Sequence, residues 1–292
     1  MARVLVIGAA YVDVVVNVQH LPQSGEDVAG DWRSTQVGGS AFNVQRALTY
    51  AGVTADLFAP VGQGEHAAIV QATFQRLGIP VLVRDESADN GWDVSFVEAN
   101  GERAFLSITG VERRWQAEWF ERISLADYDY VYLSGYELED ARAADVILTA
   151  LSLQPHLRVL FDTSPRVGSL TPAVRQRVIR PGMLIHGNVV EIQRLGTPTE
   201  TYQETAQRLN AITGELVVVT LDAQGSYYVE QGQGHMVPGT ATQVTNTIGA
   251  GDTHCGGLLA ELAAGHTTAQ AVQRANVLAA RVVGQQGGAL EI

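Results

Sequence analysis

The chain contains no lysine; all 19 of its basic residues are arginine. That absence excludes a Walker A loop, a protein-kinase strand lysine and a Schiff-base lysine. Any phosphate bound here must be met by backbone amides, arginine or a metal ion. Cysteine is nearly absent as well. Cys255 stands alone, so a disulfide framework and a cysteine-built zinc site are both excluded. No apolar run approaches a membrane span, and the first residues enter a strand without a basic region or small-residue cleavage site. A cytoplasmic location with no membrane partner is the expectation. Positive charge is in deficit: the formal net charge is −12, which argues against a nucleic-acid partner. The first strand ends in Gly8-Ala9-Ala10 with no G-x-G-x-x-G, which argues against a nicotinamide site.

What is present is an alternation of short apolar runs and helical patterns. The 292 residues suffice for one large α/β domain or two small ones. No internal repeat, low-complexity tract or linker divides them, so a single domain over 1–292 is the simplest partition. Strands are expected at 3–7, 55–61, 80–84, 128–133, 158–161, 183–185 and 216–220. Helices are expected at 40–50, 65–77, 141–153, from Pro172, at 199–212, 255–265 and 268–283. This order predicts a doubly wound, mainly parallel sheet with helices on both faces. Asn100-Gly101 between 92–98 and 103–109 is a two-residue hairpin signal. Together with 11–18 and 28–37, those strands are expected to form a small β flap beside the main sheet.

Several stretches carry candidate chemistry. In Asn246 to His254, two glycines and an alanine run into Asp252 and then a helix. Such a loop points amides at one place, and the helix N-terminus adds partial positive charge, which suits an anion. A carboxylate at its mouth repels phosphate, yet it makes sense as a base that takes a proton from an attacking hydroxyl. The plainer reading is a Gly-rich turn capped by Asp. Asp13 interrupts an apolar stretch and is either a hydrogen-bond acceptor for hydroxyls or a strand-end residue facing solvent. Gly38 and Gly39 precede a helix that Ser40 is placed to cap, with Asn43 one turn in. Trp92 and Phe105 either line a ligand or pack the flap. Arg166 is either a cation near the site or a surface residue, and Glu191 either a site carboxylate or a solvated helix residue. His254 reads as helix packing or a wall, and Cys255 as a small buried apolar residue. Glu137 is a weaker candidate for contact with a substrate.

Taken in order, Gly38-Gly39 with Asn43, Asn188 to Glu191, Thr247 to Asp252, and Asn276 with Gly287-Gly288-Ala289 resemble the motifs of the ribokinase-like (PfkB) family of carbohydrate kinases. The resemblance covers nearly the whole chain. Within the family, Asp89 to Trp92 and Ser134 to Tyr136 are similar to a bacterial sugar-kinase branch. The resemblance implies a ribokinase-like fold with a β-sheet lid. It also implies transfer of the γ-phosphate of ATP to a primary hydroxyl of a small sugar. A nucleoside kinase of the same family is the alternative, and a non-catalytic ligand-binding or regulatory protein is the alternative of another class. On this resemblance Asp252 is the base, and the amides of Gly249, Ala250 and Gly251 are the anion hole. Asp13, Gly38, Gly39, Asn43 and Arg166 face the substrate. Asn188, Thr220, Gly225 and Asn276 serve the nucleotide, and Glu191 organises Mg²⁺ through water. A homodimer through the lid is also implied.

Two residues depart from the family pattern. Asn246 stands where an Asp usually helps hold a monovalent cation, so strong K⁺ activation is not expected. Asp222 replaces a glycine of the nucleotide loop and must point away from the phosphates or face the ribose.

Overall fold

The computed structural model describes residues 2–99 and 102–291. The chain begins with β1 (Val4–Ile7), crosses into β2 (Tyr11–Val18) and β3 (Gly30–Gly38), and enters helix α1 (Ser40–Tyr50). Then come β4 (Ala55–Phe58), β5 (Pro60–Val61), α2 (Glu65–Leu77) and β6 (Val83–Arg84), followed by β7 (Trp92–Glu98) and β8 (Arg103–Ile108). Regular alternation resumes with β9 (Tyr130–Ser134), α3 (Ala141–Ser152), β10 (Arg158–Asp162), α4 (Pro172–Val178), β11 (Met183–Asn188) and α5 (Val189–Gln193). The chain closes through α6 (Tyr202–Thr213), β12 (Val217–Thr220), the hairpin β13 (Gly225–Glu230) and β14 (Gln233–Pro238), α7 (Ala250–Ala263) and α8 (Thr268–Val283).

The main sheet has eight strands in the order β14-β13-β12-β11-β10-β9-β1-β4. From β4 to β12 neighbours run parallel, and the terminal hairpin is antiparallel. The parallel strands are short, apolar and buried along their length, as a sheet covered on both faces requires. One apolar cluster packs α3, α4, α5 and α6 residues on the sheet, and a second packs α1, α2, α7 and α8. Each fully buried Leu, Ile or Val contributes about 1.5–3 kcal/mol by leaving water. Among the described residues, no helix is long and apolar enough to cross a membrane.

A second sheet of four strands, in the order β3-β2-β7-β8, is built from the segments expected to form the flap. β2 and β7 pair in parallel, which sets Asp13 beside Asp93. The Asn100-Gly101 turn lies outside the described residues. The segment Asp89 to Trp92 fastens this sheet to the body. Asp89 accepts from the N–H groups of His66 and Ala67 at the start of α2. Asn90 donates to Ala10 and Pro60 carbonyls and accepts from Gly62.

Some local expectations are corrected. Ser40 does not cap α1: Gly39 occupies that position, with φ 95°, and no side chain caps. The run 55–61 is divided at Ala59 into strands of two sheets, and 80–84 shortens to β6. The helix expected at 199–212 starts later, at Tyr202, because Thr201 and Glu204 form a capping box. The helix expected from residue 255 starts at Ala250, because Gly249 takes a left-handed conformation (φ 74°) as its N-cap. Close packing explains the glycines inside α7. A Cβ on Gly256 would stand 2.6 Å from Ala47 Cβ, and one on Gly257 would stand 3.0 Å from Ala275 Cα. These close approaches draw α7 against α1 and α8.

Candidate active site

The ends of β1, β9, β10 and β11, the N-termini of α1 and α7, and the second sheet converge on one cleft. Asp252 is the third residue of α7, and its Oδ2 accepts a hydrogen bond from Asn43 Nδ2 at 2.8 Å. Enclosure by protein raises the Asp252 pKa to about 7; the Asn43 bond opposes that rise and the charge of Asp162 adds to it. A carboxyl poised near neutrality can alternate between base and acid.

The loop before it presents the amides. Among the described residues, the N–H groups of Gly249, Gly251 and Asp252 meet no protein acceptor, while Ala250 N–H leans toward Thr247 O at 3.4 Å. Nothing stands within 4 Å of a Cβ placed on Gly251, so a side chain there would meet open space. Gly249 is obligatory for another reason: a Cβ there would lie 1.8 Å from Gly288 O. Asn246 fastens this loop, donating to Gln286 O and accepting from Ile248 N–H.

Across the cleft, Asp13 and Asp93 share a hydrogen bond, and enclosure holds both above the usual carboxylate range. Gly38 makes room for this pair: its Cβ would sit 2.1 Å from Asp13 Oδ2. Gly39 passes close to Ala9 O, leaving no space for a side chain. Glu137, 4% exposed, is pushed up to about pKa 8 by burial. Three buried oxygens here have no hydrogen-bond partner: Asn43 Oδ1, Asp93 Oδ1 and Glu137 Oε2. Buried acceptors left unsatisfied are costly and point to a missing polar partner.

Beyond the β10 and β11 ends, Glu191 and Asn188 form a capping box on α5. Glu191 Oε2 accepts from Asn188 N–H and Thr163 Oγ1. Burial and then Asp162 raise its pKa, and Glu191 in turn raises that of Asp252. Asp162 thus disfavours the ionised forms of both Glu191 and Asp252, an arrangement that fits a divalent cation at this place.

Arg166 does not stand free. It pairs with Glu139 at 3.2 Å, as Arg113 does at 2.8 Å. Asn276 is engaged on every side: Nδ2 donates to Val237 and Pro238 carbonyls, and Oδ1 accepts from Ser226 Oγ and His254 Nε2. Thr220 ends β12, partly exposed, and Gly225 follows with φ 103°, its Cβ position blocked by Val237 O at 2.2 Å. Asp222 is exposed at φ 51°, a left-handed conformation that explains why glycine suits this position. Trp92 is not a free platform, since it stacks on His66 with ring centroids 5.0 Å apart. Phe105 faces out, 54% exposed.

Behind Asp252 lies a buried polar chain that neither His254 nor Cys255 suggested alone. Tyr132 and His186 Nδ1 both donate to Asp162, and His186 Nε2 meets His254 Nδ1 at 3.0 Å. Asn276 Oδ1 can only accept, which sets a proton on His254 Nε2. Burial lowers the His254 pKa to about 3. Cys255 Sγ lies 3.1 Å from His186 Nδ1, and burial raises its thiol pKa, so it is part of this chain and not only apolar filling. Spacing within one helix offered no sign of it, because its members come from β9, β10, β11, β13, α7 and α8.

The comparisons with known proteins show the family and the fold. The family model described as pfkB family carbohydrate kinase matches residues 1–292. The Escherichia coli (strain K12) protein called "Uncharacterized sugar kinase YegV" is 34% identical over 98% of this chain and 89% of its own length. A ribokinase structure from Thermotoga maritima superimposes with a TM-score of 0.87 at 19% identity, covering 99% of this chain and 95% of that one. The Arabidopsis thaliana ribokinase complexed with ribose and ATP gives 0.80 at 20% identity, covering 98% and 94%.

Proposed function

The chain belongs to the pfkB family of carbohydrate kinases, and on that premise we propose that it moves the γ-phosphate of ATP to a primary hydroxyl of a small uncharged sugar, with Asp252 as base. The family makes it a phosphotransferase with an alcohol group as acceptor. The observation that carries the finer reading is the placement of Asp252. Its carboxyl, near pKa 7 and held by Asn43, adjoins unpartnered amides at the start of a 14-residue helix.

Each residue then has a task. Asp252 removes the acceptor proton as the hydroxyl oxygen attacks phosphorus. The amides of Gly249 and Gly251, with a lesser part for Ala250, hold the transferred group where negative charge accumulates. Asp13, Asp93, Asn43 and Glu137 bind acceptor hydroxyls, which satisfy the three unpartnered oxygens. Gly38 and Gly39 let backbone and carboxylate come close. A divalent ion such as Mg²⁺, held near Glu191 and Asp162 through water, would neutralise phosphate charge when bound. Thr220 and Gly225 border the nucleotide, while Asn188 and Asn276 shape its surroundings through the bonds they make to protein. Arg166 reaches the site's rim through Glu139. The four-stranded sheet acts as a lid that excludes water, within one domain spanning the chain. Its exposed Trp32, Phe105 and Leu106, 69%, 54% and 55% accessible, suit burial against a second copy.

A sugar acceptor is favoured over a nucleoside because Trp92 is already stacked on His66. An uncharged acceptor is favoured because carboxyl groups surround Asp252 and the nearby Arg113 and Arg166 are paired. The test is ADP release by purified protein over a panel of sugars, sugar phosphates and nucleosides. Turnover confined to nucleosides would overturn the sugar reading.

A further inference from the structure

Most arginines of this chain have an obvious partner. Arg3, Arg113, Arg158, Arg166 and Arg208 meet carboxylates, and Arg175 and Arg194 donate to carbonyls. Arg46 does not. It is 5% exposed, yet its side chain makes no hydrogen bond or ion pair with any described residue. The charged group whose field it feels is a second cation, Arg76 of α2, which adds to burial in lowering the Arg46 pKa. The Arg46 guanidinium opens onto a cavity and not onto a protein acceptor, and a like charge near it favours an anion between the two.

Both arginines line a cavity of about 590 Å³ between α1, α2, the end of β3 and residues 287–291. Thr73 lines it too. Two carboxylates border the same space, Asp13 and Glu291, and neither pairs with either arginine. Arg46 lies three residues after Asn43 on α1, hence on the same face, and Asn43, Asp13 and Gly38 form another part of the cavity wall.

We propose that this cavity binds a phosphate-like oxyanion through Arg46 and Arg76, at a site separate from the anion hole of α7. An oxyanion supplies the acceptor that Arg46 lacks and neutralises the like-charge contact. Two sources share this chemistry: a free phosphate ion, and the phosphoryl group of a phosphorylated small molecule bound beside the acceptor position. Neither is the uncharged acceptor of the function proposed above, and the site does not depend on that function.

The test is thermal unfolding and calorimetric titration of the full chain with inorganic phosphate, against chloride at matched ionic strength. Wild type should show saturable stabilisation of a few degrees. Arg46→Gln and Arg76→Gln should each weaken phosphate binding at least about tenfold. In phosphate-free buffer Arg46→Gln should unfold no lower than wild type, because it removes an unmatched charge. Asp252→Asn, and wild type saturated with ATP, should keep the phosphate response. A second titration with ribose 5-phosphate separates the sources: tighter Arg46-dependent binding than inorganic phosphate marks a phosphorylated small molecule, and equal binding marks the free ion. The proposal is overturned if stabilisation is absent, survives in both arginine variants, or vanishes when ATP is bound. Kinase activity on neutral sugars would be untouched by that failure, which separates it from failure of the functional reading.

Discussion

Asn43 Nδ2 donates to Asp252 Oδ2 at 2.8 Å, joining two helices through residues 209 positions apart. The bond fixes the carboxyl rotamer and leaves Asn43 Oδ1 buried without a partner. On the function proposed above, one amide orients the base and keeps an acceptor for the hydroxyl to be activated. Asn43→Ala should lower kcat and raise the acceptor KM together, while the KM for ATP stays close to wild type. A change confined to ATP would reject this placement.

The pH profile should carry the signature of Asp252. Its pKa is raised to about 7, and a base works deprotonated. Activity as kcat/KM for the acceptor should therefore rise with pH through about 7 and level off above it. Stability runs the other way. A carboxyl with a raised folded pKa favours folding at pH below its unfolded value near 3.8, and that contribution is lost as pH rises to about 7. Asp252→Asn should thus unfold at a higher temperature than wild type at pH 8, with the difference closing as pH falls toward 4. Equal melting temperatures at pH 8 would contradict the shift.

Gly38→Ala should damage acceptor binding. The new Cβ would lie 2.1 Å from Asp13 Oδ2 and force the Asp13–Asp93 pair to move. Displacement of binding groups by about 1 Å can cost orders of magnitude in rate, so kcat/KM for the sugar should fall at least about tenfold. Gly38 is not among the glycines with a positive φ, so a loss reports the displaced pair and not backbone strain. An unchanged kcat/KM would contradict the role given to the pair.

Potassium should activate weakly. The loop before α7 is fastened by the neutral amide of Asn246, through Gln286 O and Ile248 N–H. Turnover in K⁺ and in a large inert cation should be similar, and Asn246→Asp should increase the difference. Many-fold activation of wild type by K⁺ would contradict this.

Much of the fold was legible because parallel strands announce themselves as short apolar runs and the second helix ends at Gly78, left-handed here. The loop at 249–252 stood out because amide donors for an anion need glycine, and the Gly249 and Gly251 amides meet no protein acceptor among the described residues. The partners of those residues were not. Asp93 looked like any flap residue until parallel pairing set it beside Asp13. Asp162, His186 and His254 come from separate strands and a helix, so no spacing encodes their chain of hydrogen bonds. Asp89 to Trp92, read as a branch signature, serves attachment of the lid sheet. Asn276 was read as nucleotide-facing, yet its amide is engaged by β13, β14 and α7.

Everything functional depends on Asp252 acting as the base beside open amides. The direct test is single-turnover phosphoryl transfer by Asp252→Asn, on the best acceptor from the sugar panel, with ATP binding measured on the same sample. Turnover should fall by at least about two orders of magnitude, with ATP affinity near that of wild type. Near-wild-type turnover would contradict the account.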